Sequence, residues 1–176
     1  IEQIKPAISR QTSPIWEDRS TRKQAEYITA LLKDSGGIKH ITGNRAELRF
    51  PAAQIMKWAK ENPREYHNTS HVFLLSAFIT SMLSGQIAPV NTGDGCGTNL
   101  NNLDINNPGW SKETLDTVNT YIGIRDQKDS VANKIGLITH YDEPIGRISG
   151  YFVKKYNFDP ETLILAGTGD NPATLL

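Results

Sequence analysis

The stretch TLILAGTGDNP, residues 162–172, decides how the chain folds. Its apolar run at 163–166 is bounded by turn residues, which predicts a buried strand. Two glycines follow the run, and glycine allows both a sharp turn and the close approach of neighbouring atoms. Asp170 and Asn171 therefore stand at the carboxyl end of the strand, where ligands bind in open α/β sheets.

These two residues can act on a hydroxyl-rich ligand. The carboxylate of Asp170 can accept a proton from a hydroxyl, and the amide of Asn171 can bind a neighbouring hydroxyl. The alternative is an ordinary turn in which Asp170 hydrogen-bonds its own backbone. The local sequence leaves both interpretations open.

The remaining pattern alternates helices with short strands. Ser20-Thr21 and Ser111 are predicted helix caps, because their hydroxyls can accept hydrogen bonds from free backbone N–H groups. A short strand is predicted at 71–75, and we expect a mainly parallel sheet flanked by helices, typical of the α/β class. Apolar spacing predicts helices over about 21–33, 52–61, 76–83, 112–122 and 149–156.

Composition excludes several classes of function. At 176 residues the chain has the size of one domain, and nineteen basic side chains balance nineteen acidic ones. A net charge of zero argues against a nucleic-acid partner, which would need a basic surface. The longest apolar segment, 72–83, is too short to span a bilayer, so no membrane partner is expected.

One cysteine, Cys96, cannot form an internal disulfide, which favours a reducing, cytoplasmic setting. His67 and His71 are four residues apart, but no third ligand completes a metal site, so none is predicted. The polar segment 86–102 lacks the sequence of a phosphate-binding loop and is predicted to be a turn or a strand edge that lines a cleft. The chain is interpreted as an excerpt of a longer protein.

Two further places suit a polar ligand. Trp16, Asp18 and Arg19 put an aromatic face, an acid and a base within four residues, a set that can bind a sugar. The alternative is a strand end with a local Asp–Arg pair. Arg49, just before the second helix, is either a surface residue in a salt bridge or an anchor for a polar ligand.

Five short motifs together resemble the FGGY carbohydrate kinase family, most of all its members that act on xylulose. They occur in the same order and spacing, and the resemblance runs through almost the whole chain. Each motif alone is unspecific, whereas five in order are specific. They are SPIWED at 13–18, TGNRA at 42–46, Arg49-Phe50, DGCG at 94–97 and GDNP at 169–172.

The resemblance implies an incomplete α/β domain of the ribonuclease H-like (actin-like ATPase) fold. Residues 1–176 would be the later part of the N-terminal, sugar-binding domain, and the ATP-binding C-terminal domain would lie outside this chain. The implied activity is ATP-dependent phosphorylation of D-xylulose to D-xylulose 5-phosphate. ATP and Mg²⁺ would be bound mostly by parts of the protein outside this chain.

By resemblance, Asp170 is the catalytic base and binds the substrate, together with Asn171, Arg49, Trp16 and Asp18. The sequence departs from the family at 51–52, where Pro-Ala replaces a frequent Thr-Gly. Two alternatives stay open: a sister kinase for ribulose, gluconate or glycerol, and a sugar-binding derivative without catalysis. The oligomeric state is not predicted.

Overall fold

The computed structural model describes residues 4–174 of the chain. No helix within that range is long and apolar enough to cross a membrane. The described elements are, in order, α1 Arg22–Leu31, α2 Ile38–Thr42, α3 Pro51–Glu61, α4 Pro63–His67, α5 Leu75–Ser84, β1 Val90–Asn91, α6 Thr92–Gly95, α7 Lys112–Ile122, α8 Val131–Ile135, β2 Ile138–Thr139, β3 Pro144–Arg147, α9 Gly150–Tyr156, β4 Leu163–Leu165 and α10 Asp170–Ala173, with short 3₁₀ turns at Lys5–Ala7, Lys33–Ser35 and Gln127–Asp129.

The helix α3 is the centre of the hydrophobic core. Pro51 occupies its first turn, where the missing N–H costs nothing because that group has no partner inside the helix. Ala52 and Met56 are completely buried, and the helix packs against α1, α4 and α7. The buried apolar side chains of this core are Ile28, Leu32, Ile38, Ala52, Ala53, Ile55, Met56, Trp58, Ala59, Tyr66, Leu100, Val118 and Val131.

Helix positions are confirmed better than helix caps. All five predicted helices are present, with ends that differ by at most two residues from the predicted ones. Ser111 caps α7 as predicted, because its hydroxyl accepts a hydrogen bond from the N–H of Thr114 at 3.3 Å. Thr21 does not cap α1, because its hydroxyl donates instead to the carbonyl oxygen of Leu48.

The sheet prediction was wrong in two respects. The described strands form one parallel pair, with Val90 opposite Ile138, and one antiparallel pair of β3 with β4, instead of a mainly parallel sheet. A strand is present at Leu163–Leu165, but only Ile164 is buried, while its two neighbours in the strand are 57% and 50% exposed. A continuous apolar run does not reveal whether both faces of a strand are covered, because that depends on what packs against each face.

Two further predictions need correction, the strand at 71–75 and the turn or strand edge at 86–102. Residues 71–74 lie outside any strand, and α5 begins at Leu75, because no neighbouring strand pairs with this stretch within residues 4–174. The predicted loop at 86–102 contains β1 and α6. The side chain of Asn91 starts α6 by accepting a hydrogen bond from the N–H of Gly93 at 2.7 Å.

Lys134 is a buried cation that ties α8 to the end of α4. Its side chain is 3% exposed, and its Nζ donates to the carbonyl oxygens of Tyr66, at 3.0 Å, and of Thr69. The same Nζ lies 3.1 Å from Oδ1 of Asp129. Burial acts to raise the pKa of Asp129, but hydrogen bonds from His67 and Lys134 outweigh it and hold that pKa below its ordinary value.

We predict that Lys134→Met lowers the free energy of unfolding by about 3 kcal/mol, because Asp129 and two carbonyl oxygens lose a partner away from water. Lys128→Met is the matched control: Lys128 lies 3.3 Å from Asp126, both side chains are more than half exposed, and the expected loss is under about 1 kcal/mol. Urea unfolding of both variants measures the difference. Equal losses would contradict a special role for Lys134.

Candidate functional site

Asp170 is the first residue of α10 and is exposed. Its Oδ1 accepts a hydrogen bond from the backbone N–H of Asn171 at 2.9 Å, which is the local turn that the alternative interpretation of this residue anticipated. Within residues 4–174 its Oδ2 accepts no hydrogen bond. One carboxylate oxygen therefore orients the side chain, and the other is free to accept a proton from a ligand.

The segment that leads to Asp170 is held by hydrogen bonds to two buried side chains. The amide of Asn91 donates to the carbonyl oxygen of Ala166 at 3.1 Å, and the N–H of Gly167 donates to the hydroxyl of Thr80 at 3.0 Å. A Cβ atom at position 167 would lie 2.8 Å from that hydroxyl, so glycine is needed there for close packing against α5.

Asp94 lies directly behind this segment. Its Oδ2 accepts a hydrogen bond from the hydroxyl of Ser76, and its Oδ1 would lie 2.6 Å from a Cβ atom at Gly169. The hydroxyl of Thr168 is buried in the same region and makes no hydrogen bond to any residue that the structure describes. The DGCG motif is thus packed against the GDNP motif. The sequence analysis did not predict this contact, because the two motifs lie far apart in the sequence.

Trp16 and Asp18 lie in the irregular segment that precedes α1. The indole of Trp16 is 70% exposed, so its face is available to a ligand. Asp18 accepts hydrogen bonds from the hydroxyl of Ser20 and from its N–H, the latter at 2.8 Å. These hydrogen bonds, helped by Gln54 and Lys57, lower the pKa of Asp18 to about 2. In the described part of the chain Asp18 forms no ion pair with Arg19, the alternative weighed from the sequence.

Arg49 lies in a tight turn closed by a hydrogen bond from the N–H of Phe50 to the carbonyl oxygen of Glu47, at 3.3 Å. Its side chain is exposed and forms no ion pair with any residue between 4 and 174. The surface salt bridge, one of the two interpretations of Arg49, is therefore not present among the described residues. Its guanidinium can bind a polar ligand.

Gln54 joins the Asp18 segment to the Arg49 turn. This side chain is 6% exposed, and its Nε2 lies 3.4 Å from the carbonyl oxygens of both Asp18 and Leu48. Sequence reasoning missed Gln54. The one available signal was a polar residue on the apolar face of α3.

The segment 91–99 contacts both sides of the candidate site. Its first half packs against the loop before Asp170, as described above. In its second half, the carbonyl oxygen of Cys96 accepts a hydrogen bond from the amide of Asn44 at 2.9 Å. The carbonyl oxygen of Thr98 accepts a hydrogen bond from the N–H of Ala52 at 3.1 Å.

The candidate site residues thus form two groups, one with Asp18 and Arg49 and one with Asp170, and the segment 91–99 links the two groups. Convergence of these side chains on one bound sugar stays a prediction.

The two main cavities lie elsewhere. A groove of about 590 Å³ follows α1 and is lined mainly by its aliphatic atoms, and a smaller cavity of about 290 Å³ lies beside Tyr66 and Asp129. Neither is lined by any of the predicted site residues.

The chain is similar in sequence to known proteins. The chain is 35% identical over 176 residues to the probable D-xylulose kinase A of Aspergillus fumigatus, covering 99% of this chain and 30% of the relative. It is 37% identical over 166 residues to the xylulose kinase of Schizosaccharomyces pombe, covering 94% of this chain and 29% of that protein. The chain is homologous to part of the xylulose kinases. It spans about 30% of the length of these relatives.

Solved structures support the fold. A xylulose kinase from Brucella ovis matches with a TM-score of 0.73 at 19% identity, over 90% of this chain and 29% of that structure. The glycerol kinase of Plasmodium falciparum matches with a TM-score of 0.69 at 16% identity, over 89% of this chain and 29% of that one. The predicted actin-like fold of the FGGY kinases, present in part, is confirmed. No family model matches the chain.

The hydrogen bonds to Asp18 give a testable pH dependence. Because its pKa in the folded chain is about 2, below the ordinary 3.8, ionised Asp18 stabilises the fold at higher pH. That contribution is lost as the pH falls from about 4 towards 2. We predict that Ser20→Ala raises the pKa of Asp18 towards 3.8, because the hydroxyl bond is lost while the N–H bond remains. NMR titration of the Asp18 carboxyl carbon measures it.

Ser13→Ala is the control for this titration, since Ser13 is exposed in the same segment and makes no side-chain hydrogen bond to the described residues. It should leave the pKa of Asp18 unchanged. An unchanged pKa in Ser20→Ala as well would mean that the Ser20 hydroxyl does not hold the carboxylate in solution.

Proposed function

We propose that this chain is the later part of the sugar-binding, N-terminal domain of an ATP-dependent sugar kinase of the FGGY family. On this proposal the ATP-binding domain belongs to the part of the polypeptide outside these 176 residues. The observation that carries the proposal is Asp170, whose carboxylate has one oxygen held by the backbone and one free towards a ligand. The single cysteine supports a reducing, cytoplasmic setting for such an enzyme.

The proposed reaction uses Asp170 as a general base. The free oxygen of its carboxylate accepts the proton of a sugar hydroxyl while the hydroxyl oxygen forms a bond to the γ-phosphorus of ATP. The bond from that phosphorus to the β–γ bridging oxygen breaks, and ADP leaves. Phosphoryl transfer needs positioning and charge stabilisation more than covalent chemistry, so one well-placed base is sufficient on the sugar side.

The other site residues would hold the sugar. The guanidinium of Arg49 and the amide of Asn171 can bind sugar hydroxyls, and ionised Asp18 can accept hydrogen bonds from them. The exposed indole of Trp16 can cover a C–H face of the sugar chain. These four roles are proposals that rest on the exposure and surroundings of each side chain.

Mg²⁺ would neutralise the developing charge on the phosphate oxygens. In the described part of the chain, however, no group of three or more histidine, cysteine, aspartate or glutamate side chains could hold a metal ion. On this proposal, ATP and Mg²⁺ are bound mostly by the other parts of the kinase, as the resemblance implies, and no step is assigned to the metal on these residues.

D-Xylulose is the proposed substrate, and D-xylulose 5-phosphate the proposed product, because the homologous proteins are named xylulose kinases. The fold does not discriminate between sugars, since a glycerol kinase shares it. We predict that the complete kinase that contains this chain phosphorylates D-xylulose with a higher kcat/KM than D-ribulose, D-gluconate or glycerol. ATP-dependent ADP release in a coupled assay measures all four. A preference for another of them would reassign the substrate, and no activity on any would favour a sugar-binding derivative without catalysis.

The role of Asp170 can be tested in the same enzyme. Asp170→Asn keeps the shape and removes the basic oxygen, and general-base catalysis contributes about 10² to 10⁴ in rate. We expect turnover to fall at least ~10²-fold while sugar affinity, measured by calorimetry, changes little. Asp34→Asn, an exposed acid just beyond α1, is the control and should leave both unchanged. Near-normal turnover of Asp170→Asn would show that another group takes the proton.

A further inference from the structure

Asn99 is the feature of the structure that the proposed reaction does not use. Its side chain is 1% exposed, and its backbone has a φ of 59°, a conformation that few residues other than glycine adopt and that asparagine tolerates best. A buried amide in such a conformation indicates that the surrounding structure requires it.

The side-chain hydrogen bonds of Asn99 go to the last residue of α2 and to the connection between α2 and α3. Its Nδ2 donates to the carbonyl oxygen of Arg45 at 3.0 Å and to the hydroxyl of Thr42 at 3.3 Å. Its Oδ1 accepts a hydrogen bond from the N–H of Glu47 at 3.0 Å. Glu47 is the first residue of the turn that carries Arg49, so Asn99 holds that turn at its start.

This connection has no regular structure of its own between residues 43 and 50. Backbone groups in such a segment need hydrogen-bond partners when they are shielded from water, and here one buried amide supplies two of them. The neighbouring carbonyl oxygen of Thr98 accepts a hydrogen bond from the N–H of Ala52, just after the turn. Asn99 therefore bonds to the start of the Arg49 turn, and its neighbour Thr98 bonds to the residue just after it.

The same segment reaches the other side of the candidate site. Asn91 and Asp94, a few residues earlier, contact the loop that leads to Asp170. Asn99 thus fixes the Arg49 turn to the segment that also supports Asp170. The distance between a sugar-binding cation and the base depends on this link.

We propose that Asn99 is a positioning residue for sugar binding, which acts by holding the Arg49 turn in place relative to Asp170. The inference rests on the proposed function of Arg49 and deepens it. A purely structural role for Asn99 would also fit its burial, and the two differ in one measurable property. If Asn99 acts through Arg49, its removal has no effect on sugar affinity once Arg49 has been removed.

The test is a double-mutant cycle in the complete kinase with Asn99→Gly, Arg49→Ala and the combination. Glycine keeps the positive φ without strain and removes all three hydrogen bonds. Each hydrogen bond contributes about a factor of five to the equilibrium that keeps the Arg49 turn in place. Because the turn is then only partly misplaced, we expect the variant to bind D-xylulose about tenfold more weakly, with a smaller change in kcat. The double variant is expected to bind D-xylulose no more weakly than Arg49→Ala alone. Calorimetry gives the dissociation constants.

Asn157→Gly is the matched control. Asn157 is the other asparagine with positive φ, at 58°, but its side chain is exposed at the end of α9 and makes no hydrogen bond to the described residues. This variant should leave both affinity and kcat unchanged.

Each other outcome overturns the inference. Equal losses from Asn99→Gly with and without Arg49 would make Asn99 a general structural residue. If Arg49→Ala binds D-xylulose as tightly as the unmodified enzyme, Asn99 cannot act through Arg49. The kinase activity of the unmodified enzyme tests the proposed function separately.

If circular dichroism shows that Asn99→Gly does not fold, Asn99→Asp, which keeps the shape and loses both donated bonds, replaces it in the cycle. Unfolding of both would establish a structural role instead.

Discussion

The hydrogen bonds of a few buried amide side chains hold the candidate site together. Trp16, Asp18 and Arg49 lie on turns and irregular segments, and Asp170 follows an irregular loop, so many backbone groups here have no partner in a helix or a sheet. Asn91, Asn99 and Gln54 supply those partners, each by bonds to backbone atoms of a distant segment. A buried polar group without a partner costs more than the bond contributes when it is made, so these segments have little freedom to shift.

Little regular sheet is present in the described part of the chain. The four strands are two to four residues long, and the hydrophobic core lies around α3, not on the face of a sheet. In the first turn of α3, the N–H of Ala52, one residue after the proline that begins the helix, donates a hydrogen bond to the carbonyl oxygen of Thr98. The helix at the centre of the core is therefore bonded to the segment 91–99, which supports the candidate site.

Four of the five side chains proposed to bind the sugar are exposed. They are Trp16, Arg49, Asp170 and Asn171, whereas Asp18 is half-buried and its carboxylate accepts hydrogen bonds from Ser20. The indole of Trp16, the guanidinium of Arg49 and one carboxylate oxygen of Asp170 are thus available to a ligand. On the proposed function, they would form one wall of a cleft whose other wall belongs to the rest of a sugar kinase. The relatives are about three times as long as this chain.

The helices could be predicted from the amino-acid sequence, because apolar residues at helical spacing leave a periodic pattern, and five motifs in order indicated the resemblance to the FGGY kinases. The sequence also predicted a strand over 163–166, of which 163–165 is observed, and the acid that follows it. The tertiary contacts were needed to show that one face of this strand is open, that Asp94 packs against the loop before Asp170, and that Gln54 and Asn99 bond to the site segments. The physical reason is that these contacts join residues tens of positions apart, such as Asn99 and Arg45 at a separation of 54, and mostly involve backbone atoms, which every residue has. A sequence carries no periodic signal for such partners.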